Sequence, residues 1–355
     1  MSTAFTVTSL QQDEQAPHGL PETLAERIAA MQHAPGRIVL IARRGDRSIG
    51  VLVARRRRTT TMLRIVLFWV LADEVDHDAV SRQLVSALEQ LSLATDVLTW
   101  RISADASEAD IPFMLRAIAH IGAAGPDALY SERHLTSDGL AGKSTTPIYT
   151  QTTRFTCGAA CLMMAFAGLD ASIPIDRQLE ITLWREATSV VSKDGPGGCD
   201  PYGLALAAAA RGYRLRVFMS TPDAVLVDRG NTDEKRELIK FVQADFKRRV
   251  LDAGIQVEAR AFLLGELRDA IAAGAVAAVL IDQMETHGRT VPHWVLAHAV
   301  SEDHFLVNDP WFEASTLETI ADVVDLPIRD AMFERMAWYG EPRYRAALLI
   351  DRPAG

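Results

Sequence analysis

Cysteine is scarce: three residues in 355, an odd number too small for a disulfide framework, which points to a reducing compartment. Basic charge is in deficit, 37 Lys and Arg against 46 Asp and Glu, for a net charge of −9. General nucleic-acid binding, which needs a basic face, is thereby excluded. No segment approaches the roughly 20 apolar residues that span a bilayer; Met62 to Ala72 is too short and suits a buried strand. Met1 to Leu20 contains Asp13 and Glu14 and no long apolar run, unlike a signal peptide. Closely spaced Cys or His pairs of the zinc-site kind are missing, so neither a metal nor another cofactor is expected. The expectation is a soluble cytoplasmic protein with no nucleic-acid or membrane partner.

What the chain has is apolar residue in quantity, 48%, enough for two ordinary cores. Residues 1–20 read as a tail, and 21–136 as an α/β domain. Its elements run as a helix over 21–31, strands over 37–42, 48–54 and 62–72, and a helix over 79–93. A strand over 97–102, a helix over 111–121 and a short strand over 128–131 complete it. The basic run Arg55 to Arg58 reads as a solvated hairpin tip. Residues 137–146, with Gly139 and Gly142, read as a linker, and 147–355 as the second domain.

In that second domain, an irregular stretch from Gln151 leads into the apolar helical run Cys157-Gly158-Ala159-Ala160-Cys161. A thiol at a helix N-terminus faces the positive end of the dipole, which favours thiolate. Gly158 leaves room for a substrate backbone, and Gln151 could aim its amide at the same point as the Cys157 N–H, forming an oxyanion hole. Cys161, one turn on, reads as core. Far downstream, His293 to Val300 and Phe305 to Pro310 flank a polar turn and predict a β-hairpin. Folding back brings Asp309 toward His293, where a carboxylate can fix an imidazole tautomer. His298 is the rival base; five residues on, it points to the opposite strand face, so one of the two meets Cys157. His304 reads as a solvated turn residue. Gly198 and Cys199, in a glycine-rich loop before the helix from Tyr202, could line a cleft for extended substrate, with Trp294 beside the base. A strand over 276–281 and a last strand over 345–350 supply further sheet, and 232–250 is a charged amphipathic helix.

Gln151 six residues before Cys157-Gly158, then His293-Trp294-Val295 and Asn308-Asp309-Pro310, resemble the bacteriocin-processing (double-glycine leader) cysteine peptidases. Leu183 to Thr188 and Gly197 to Ala207 resemble more closely a soluble bacterial branch of that clan, whose members often carry an acetyltransferase-like domain in front. The resemblance implies an α+β chain, with a Cys-bearing helix packed on an antiparallel sheet in a papain-like domain. It assigns Cys157 as nucleophile, His293 as base, Asp309 as its orienter and Gln151 as oxyanion donor. The implied function is a cysteine peptidase or amidase acting on a peptide or amide, carrier-bound and ribosomal peptides included. An acyl or aminoacyl transferase and a non-catalytic peptide-binding module are the alternatives. The front element order resembles the GNAT-type acetyltransferases. These hold coenzyme A on a glycine-rich turn before the central helix, where this chain has Asp73, Glu74, Asp76 and Asp78 and no glycine. A degenerate or structural front domain is therefore expected.

Overall fold

The computed structural model describes residues 4–10, 19–32, 34, 36–71, 74, 76–103, 130–135, 146–188, 191–192, 195–316 and 318–352. The chain divides into two compact units, each with its own sheet. The first comprises Met1–Ala141 with Glu313–Asp322, and the second Gly142–Phe312 with Val323–Gly355.

The first unit runs β1 (Thr6–Ser9), α1 (Glu22–Ala30), β2 (Arg37–Arg44), β3 (Arg47–Arg56), β4 (Met62–Val70), α2 (His77–Ala94), β5 (Thr99–Ser103) and β6 (Tyr130–His134). Among the described residues the strands form one sheet in chain order, antiparallel except for the β4–β5 pair. That parallel pair requires a crossover, and α2 supplies it. Val80, Leu84 and Leu88 of α2 are buried against the sheet, and Gly50 on β3 is the point of closest approach. A Cβ there would stand 2.9 Å from Val80 Cγ1. The expected helix over 111–121 lies outside the described residues. Residues 6–9, read as part of a tail, instead form an edge strand paired with β2.

The Arg55 to Arg58 run is not a solvated tip. Arg55 and Arg57 are each 5% exposed. Arg55 pairs with Glu318 at 2.9 Å, Arg57 lies 3.5 Å from the same carboxylate, and Arg64 pairs with Asp322 at 2.8 Å. Arg101 donates to the Ala321 carbonyl and pairs with Glu132. The acidic segment stands more than 250 residues beyond Arg55, so local patterning cannot announce it.

The second unit contains α3 (Cys157–Leu169), α4 (Arg177–Ala187), the short pair β7 (Val191–Ser192) and β8 (Gly195–Pro196), and α5 (Pro201–Ala209). Next come β9 (Arg214–Met219), α6 (Asp233–Asp252), β10 (Gln256–Glu258), α7 (Leu264–Ala272), β11 (Val276–Asp282) and α8 (Met284–His287). The chain closes through β12 (Pro292–Ser301), β13 (His304–Asn308), β14 (Leu326–Arg329), α9 (Asp330–Met336) and β15 (Ala346–Asp351). Among the described residues its main sheet has the order β10-β9-β15-β11-β12-β13-β14, antiparallel save for β10–β9. α3 is apolar on every side and buried throughout, apart from Gly168. It packs with Ala278, Leu280, Trp294, Leu296 and Leu348 of the sheet in one core. A helix apolar all round is stable in water only when enclosed, and the sheet with α4 and α5 encloses this one.

Candidate active site

The loop before α3 is organised by a buried carboxylate. Glu180, on α4 and 0% exposed, accepts from Thr152 N (2.8 Å), Thr152 Oγ1 (2.7 Å), Thr156 Oγ1 (2.5 Å) and Tyr149 OH (3.0 Å). Thr156 is the N-cap of α3, yet its side chain makes no capping bond there, because its hydroxyl goes to Glu180. Cys157 is thus the first residue of a helix whose N-terminal turn has no side-chain cap. Sequence reading missed Glu180, which looks like an ordinary first-turn acid of an amphipathic helix.

β12 and β13 form the predicted hairpin, with Leu296 opposite Asn308. His293 and Asp309 come together at its open end: Nε2 donates to Asp309 Oδ1 at 2.7 Å, and the same oxygen accepts from Trp311 N at 2.9 Å. The Cys157 side chain lies close enough to the imidazole to raise its pKa, together with Asp309. All three residues are buried, His293 to 4% exposure. Burial alone would push the imidazole down, but Asp309 and Cys157 outweigh it and hold His293 up at about 10. Burial pushes both the Cys161 and Cys199 thiols well up, so these two stay neutral.

Gln151 is pinned to the same centre through its backbone, its N–H donating to Pro310 O at 2.8 Å. Its side-chain Nε2 donates to Thr153 O at 2.6 Å, which fixes the amide and leaves one N–H to aim elsewhere. His298 occupies a β-bulge between Ala297 and Ala299 and faces Asp325 at 3.3 Å, away from the Cys157–His293 pair. Its pKa is lowered by burial, against the pull of Asp325. His304 is not a turn residue in solvent. It begins β13, is 2% exposed, and contacts Asp303 at 2.6 Å. Every residue of β13 is buried.

The residues expected against substrate divide into two groups. Gly198 is exposed, with open space around it except for Phe155 O at 4.0 Å. Gly158 is buried instead: a Cβ there would stand 2.8 Å from Cys199 Cβ and 3.0 Å from Leu204 Cδ1. Its lack of a side chain serves helix packing, not substrate approach. Cys199 and Trp294 are also core, 1% and 2% exposed, and Trp294 Nε1 donates to Cys199 O. Against this core, Asp200 caps α5, its Oδ1 accepting from Tyr202 N (2.8 Å) and Gly203 N (3.1 Å), while Oδ2 is buried with no hydrogen-bond partner among the described residues.

Burial raises the Asp200 carboxyl to about 7, against the pull of its two N–H donors. The folded state therefore holds this proton more tightly than the unfolded chain, which gives it up near 3.8. As pH rises from about 4 to about 7, stability on the order of 4 kcal/mol is lost at this residue. Asp200→Asn keeps the capping oxygen and cannot ionise, so its melting temperature should exceed wild type at pH 8 and vary less between pH 4 and 7. A variant that melts lower than wild type at pH 8 would refute this account.

The second unit is an α+β domain with a Cys-bearing helix on an antiparallel sheet and a Cys–His–Asp cluster at the helix start. The chain belongs to the Peptidase_C39 like family, which matches residues 146–351, the clan that its motifs resemble. No curated protein matches it. Among solved structures it is similar to the aminoglycoside 6'-N-acetyltransferase from Enterococcus faecium, at 15% identity over 37% of this chain and 97% of that one, TM-score 0.29. Ard1 from Thermoplasma volcanium aligns at 20% identity over 38% and 99% of the two chains, TM-score 0.28. The PaiA N-acetyltransferase from Thermoplasma acidophilum, solved with coenzyme A, aligns at 11% identity over 37% and 99%, TM-score 0.27. Among the described residues no helix is long and apolar enough to cross a membrane.

Proposed function

We propose that the second unit is a cysteine-dependent hydrolase of peptide or amide bonds, working through Cys157, His293 and Asp309. The observation that carries this reading is one buried imidazole bonded to a carboxylate and held next to a thiol at a helix N-terminus. With the proton already on His293, Cys157 Sγ attacks the carbonyl carbon. The carbonyl π electrons move to oxygen, where the Cys157 N–H and the second Gln151 Nε2 hydrogen stabilise the charge. Collapse expels the amine, which takes the proton from His293, and leaves a thioester. Water, deprotonated by His293, then releases the acid and the free thiol. Asp309 holds the ring in the orientation and tautomer that these transfers need.

The test uses p-nitrophenyl acetate and intact-protein mass spectrometry. An acetyl adduct on Cys157 that decays with time, and is absent in Cys157→Ala, supports the reading; no adduct under conditions that label an ordinary thiol overturns it. Adding glycinamide to the same reaction distinguishes the acceptor. Acetylglycinamide formed in proportion to added amine would replace hydrolysis by acyl transfer.

For the first unit we propose a structural role without coenzyme A. Arg44 pairs with Glu74 at 2.6 Å and Asp76 at 2.7 Å, so acids locked in ion pairs stand before α2, where a pyrophosphate would require open N–H donors. Titration calorimetry with acetyl-coenzyme A should show no binding heat; saturable binding would refute the assignment.

A further inference from the structure

His298 takes no part in the chemistry above, yet its side chain is 0% exposed and stands on the strand that carries the base. An imidazole enclosed to that degree gives up its hydration, a cost that only specific contacts offset. Such contacts are present. Nε2 lies 3.3 Å from Asp325 Oδ1, and the ring is close enough to the Asn308 side chain for the two to interact. Both partners adjoin segments that hold Asp309, the carboxylate bonded to His293.

A bulge brings this about. Leu296 faces Asn308 across the hairpin and Ala297 faces Val307, but the next pair in register is Ala299 with Leu306. His298 is therefore the extra residue of β12, and a bulge re-aims the side chain at its position. On the far side of the contact, Asp325 holds its backbone at φ +44°. A residue with a side chain is strained in that left-handed region and stays there only where its surroundings hold it. Hydrogen bonds tie the strained turn to the end of β13. Asp325 N–H donates to Asn308 Oδ1 at 2.9 Å, and Asp309 N–H donates to Val323 O at 2.8 Å. Asn308 and Val323 are both 0% exposed, so water does not compete for these acceptors. The path from His298 to Asp309 is short: a ring against a carboxylate, the carboxylate on a strained turn, the turn on the Asp309 backbone.

We propose that His298 is a positioning residue for Asp309. By holding Asp325 in its left-handed turn, it keeps the Val323 carbonyl on the Asp309 N–H and the Asp309 carboxylate on His293. It touches neither substrate nor the reacting atoms. This assignment rests on the reading of Cys157, His293 and Asp309 as a catalytic set, and the test keeps the two apart.

The readout is the rate of Cys157 alkylation by iodoacetamide as a function of pH, with the melting temperature measured on the same full-length samples. His298→Leu fills the space without a polar contact and should slow labelling at pH 6 about fivefold relative to wild type. His298→Gln carries an amide in place of the ring nitrogen and should restore most of the wild-type rate. His298→Leu combined with Asp309→Asn should label no more slowly than Asp309→Asn alone, because both changes act through one carboxylate.

Leucine in an enclosed polar site can unfold a protein, so Asp325→Asn and Asp325→Ala, on the more exposed turn, provide a second pair. Asparagine tolerates the left-handed region and keeps an oxygen toward His298, so it should label like the wild type. Alanine does neither and should show the same loss as His298→Leu. Wild-type rates in both His298→Leu and Asp325→Ala overturn the proposal, as does a further slowing of Asp309→Asn by the second change. A lower melting temperature with an unaltered pH profile would assign His298 to stability alone and overturn it as well. Equal labelling of wild type and His293→Ala would sink the catalytic reading. Slowed labelling of His293→Ala beside an unaffected His298→Leu would remove only the positioning role.

Discussion

His293→Ala should slow alkylation of Cys157 by iodoacetamide about a hundredfold at pH 6. An ordinary thiol titrates near 8.5, so at pH 6 only a few molecules in a thousand are thiolate. In the wild type an imidazolium touches the thiol, and Asp309 keeps it charged up to about pH 10. A cation in contact with sulfur favours the anion, so labelling of the wild type should persist through the acidic range. In the variant it should fall tenfold per pH unit below the thiol's own titration. The sign follows from His293 alone: its charge is present below about 10 and lost above it, so the advantage over the variant shrinks as pH rises. Asp309→Asn should give an intermediate profile, since desolvation then acts on the imidazole without its counter-charge. Cys161 and Cys199 are the internal controls, buried and held neutral. Equal rates for wild type and His293→Ala at pH 6 would remove the ion pair from the mechanism.

The second large effect is expected at Glu180. Replacing it with alanine removes one acceptor group that serves four donors, among them the buried Thr156 hydroxyl. Hydrogen bonds to a charged group contribute about 1.5–3 kcal/mol each, but the exposed Thr152 can turn to water, so a net loss of about 3 kcal/mol is expected. Gln151 and Cys157 flank the residues that Glu180 holds, so the variant should also label more slowly at Cys157 than its stability loss explains. Glu180→Gln offers one acceptor oxygen and an amide that cannot accept, and should fall between. Urea unfolding and the alkylation assay, run on the same samples, separate the two effects. Unchanged stability in the alanine variant would show that the loop does not depend on this carboxylate.

Much of this was legible in the sequence because it is local. The helix from Cys157 follows from an unbroken apolar run, and the β12–β13 hairpin from two apolar stretches around Glu302-Asp303. The strands of the first unit and α2 follow from periodicity. What escaped depends on partners distant in the chain. Glu180 reads as a surface acid until Thr152 and Thr156 fold against it. Gly158 invites a substrate until Cys199 is placed beneath it, and Arg55 and Arg57 look solvated until Glu318 arrives. The bulge at His298 is likewise invisible to strict alternation, which assumes a regular strand.

That late arrival has a consequence for biosynthesis. Glu313–Asp322 belongs to the first unit, and its Glu318 and Asp322 are counter-charges to Arg55, Arg57 and Arg64. The part of the protein made first is therefore completed among the last. While the ribosome is still working through residues 150 to 310, the early sheet must either wait unfinished or hold its arginines in a provisional, hydrated arrangement. A single cut between the units cannot yield two self-sufficient halves, because the polypeptide is interleaved rather than strung in series. Nascent-chain proteolysis should find the leading segment protease-sensitive until residue 322 has left the exit tunnel, and resistant soon after.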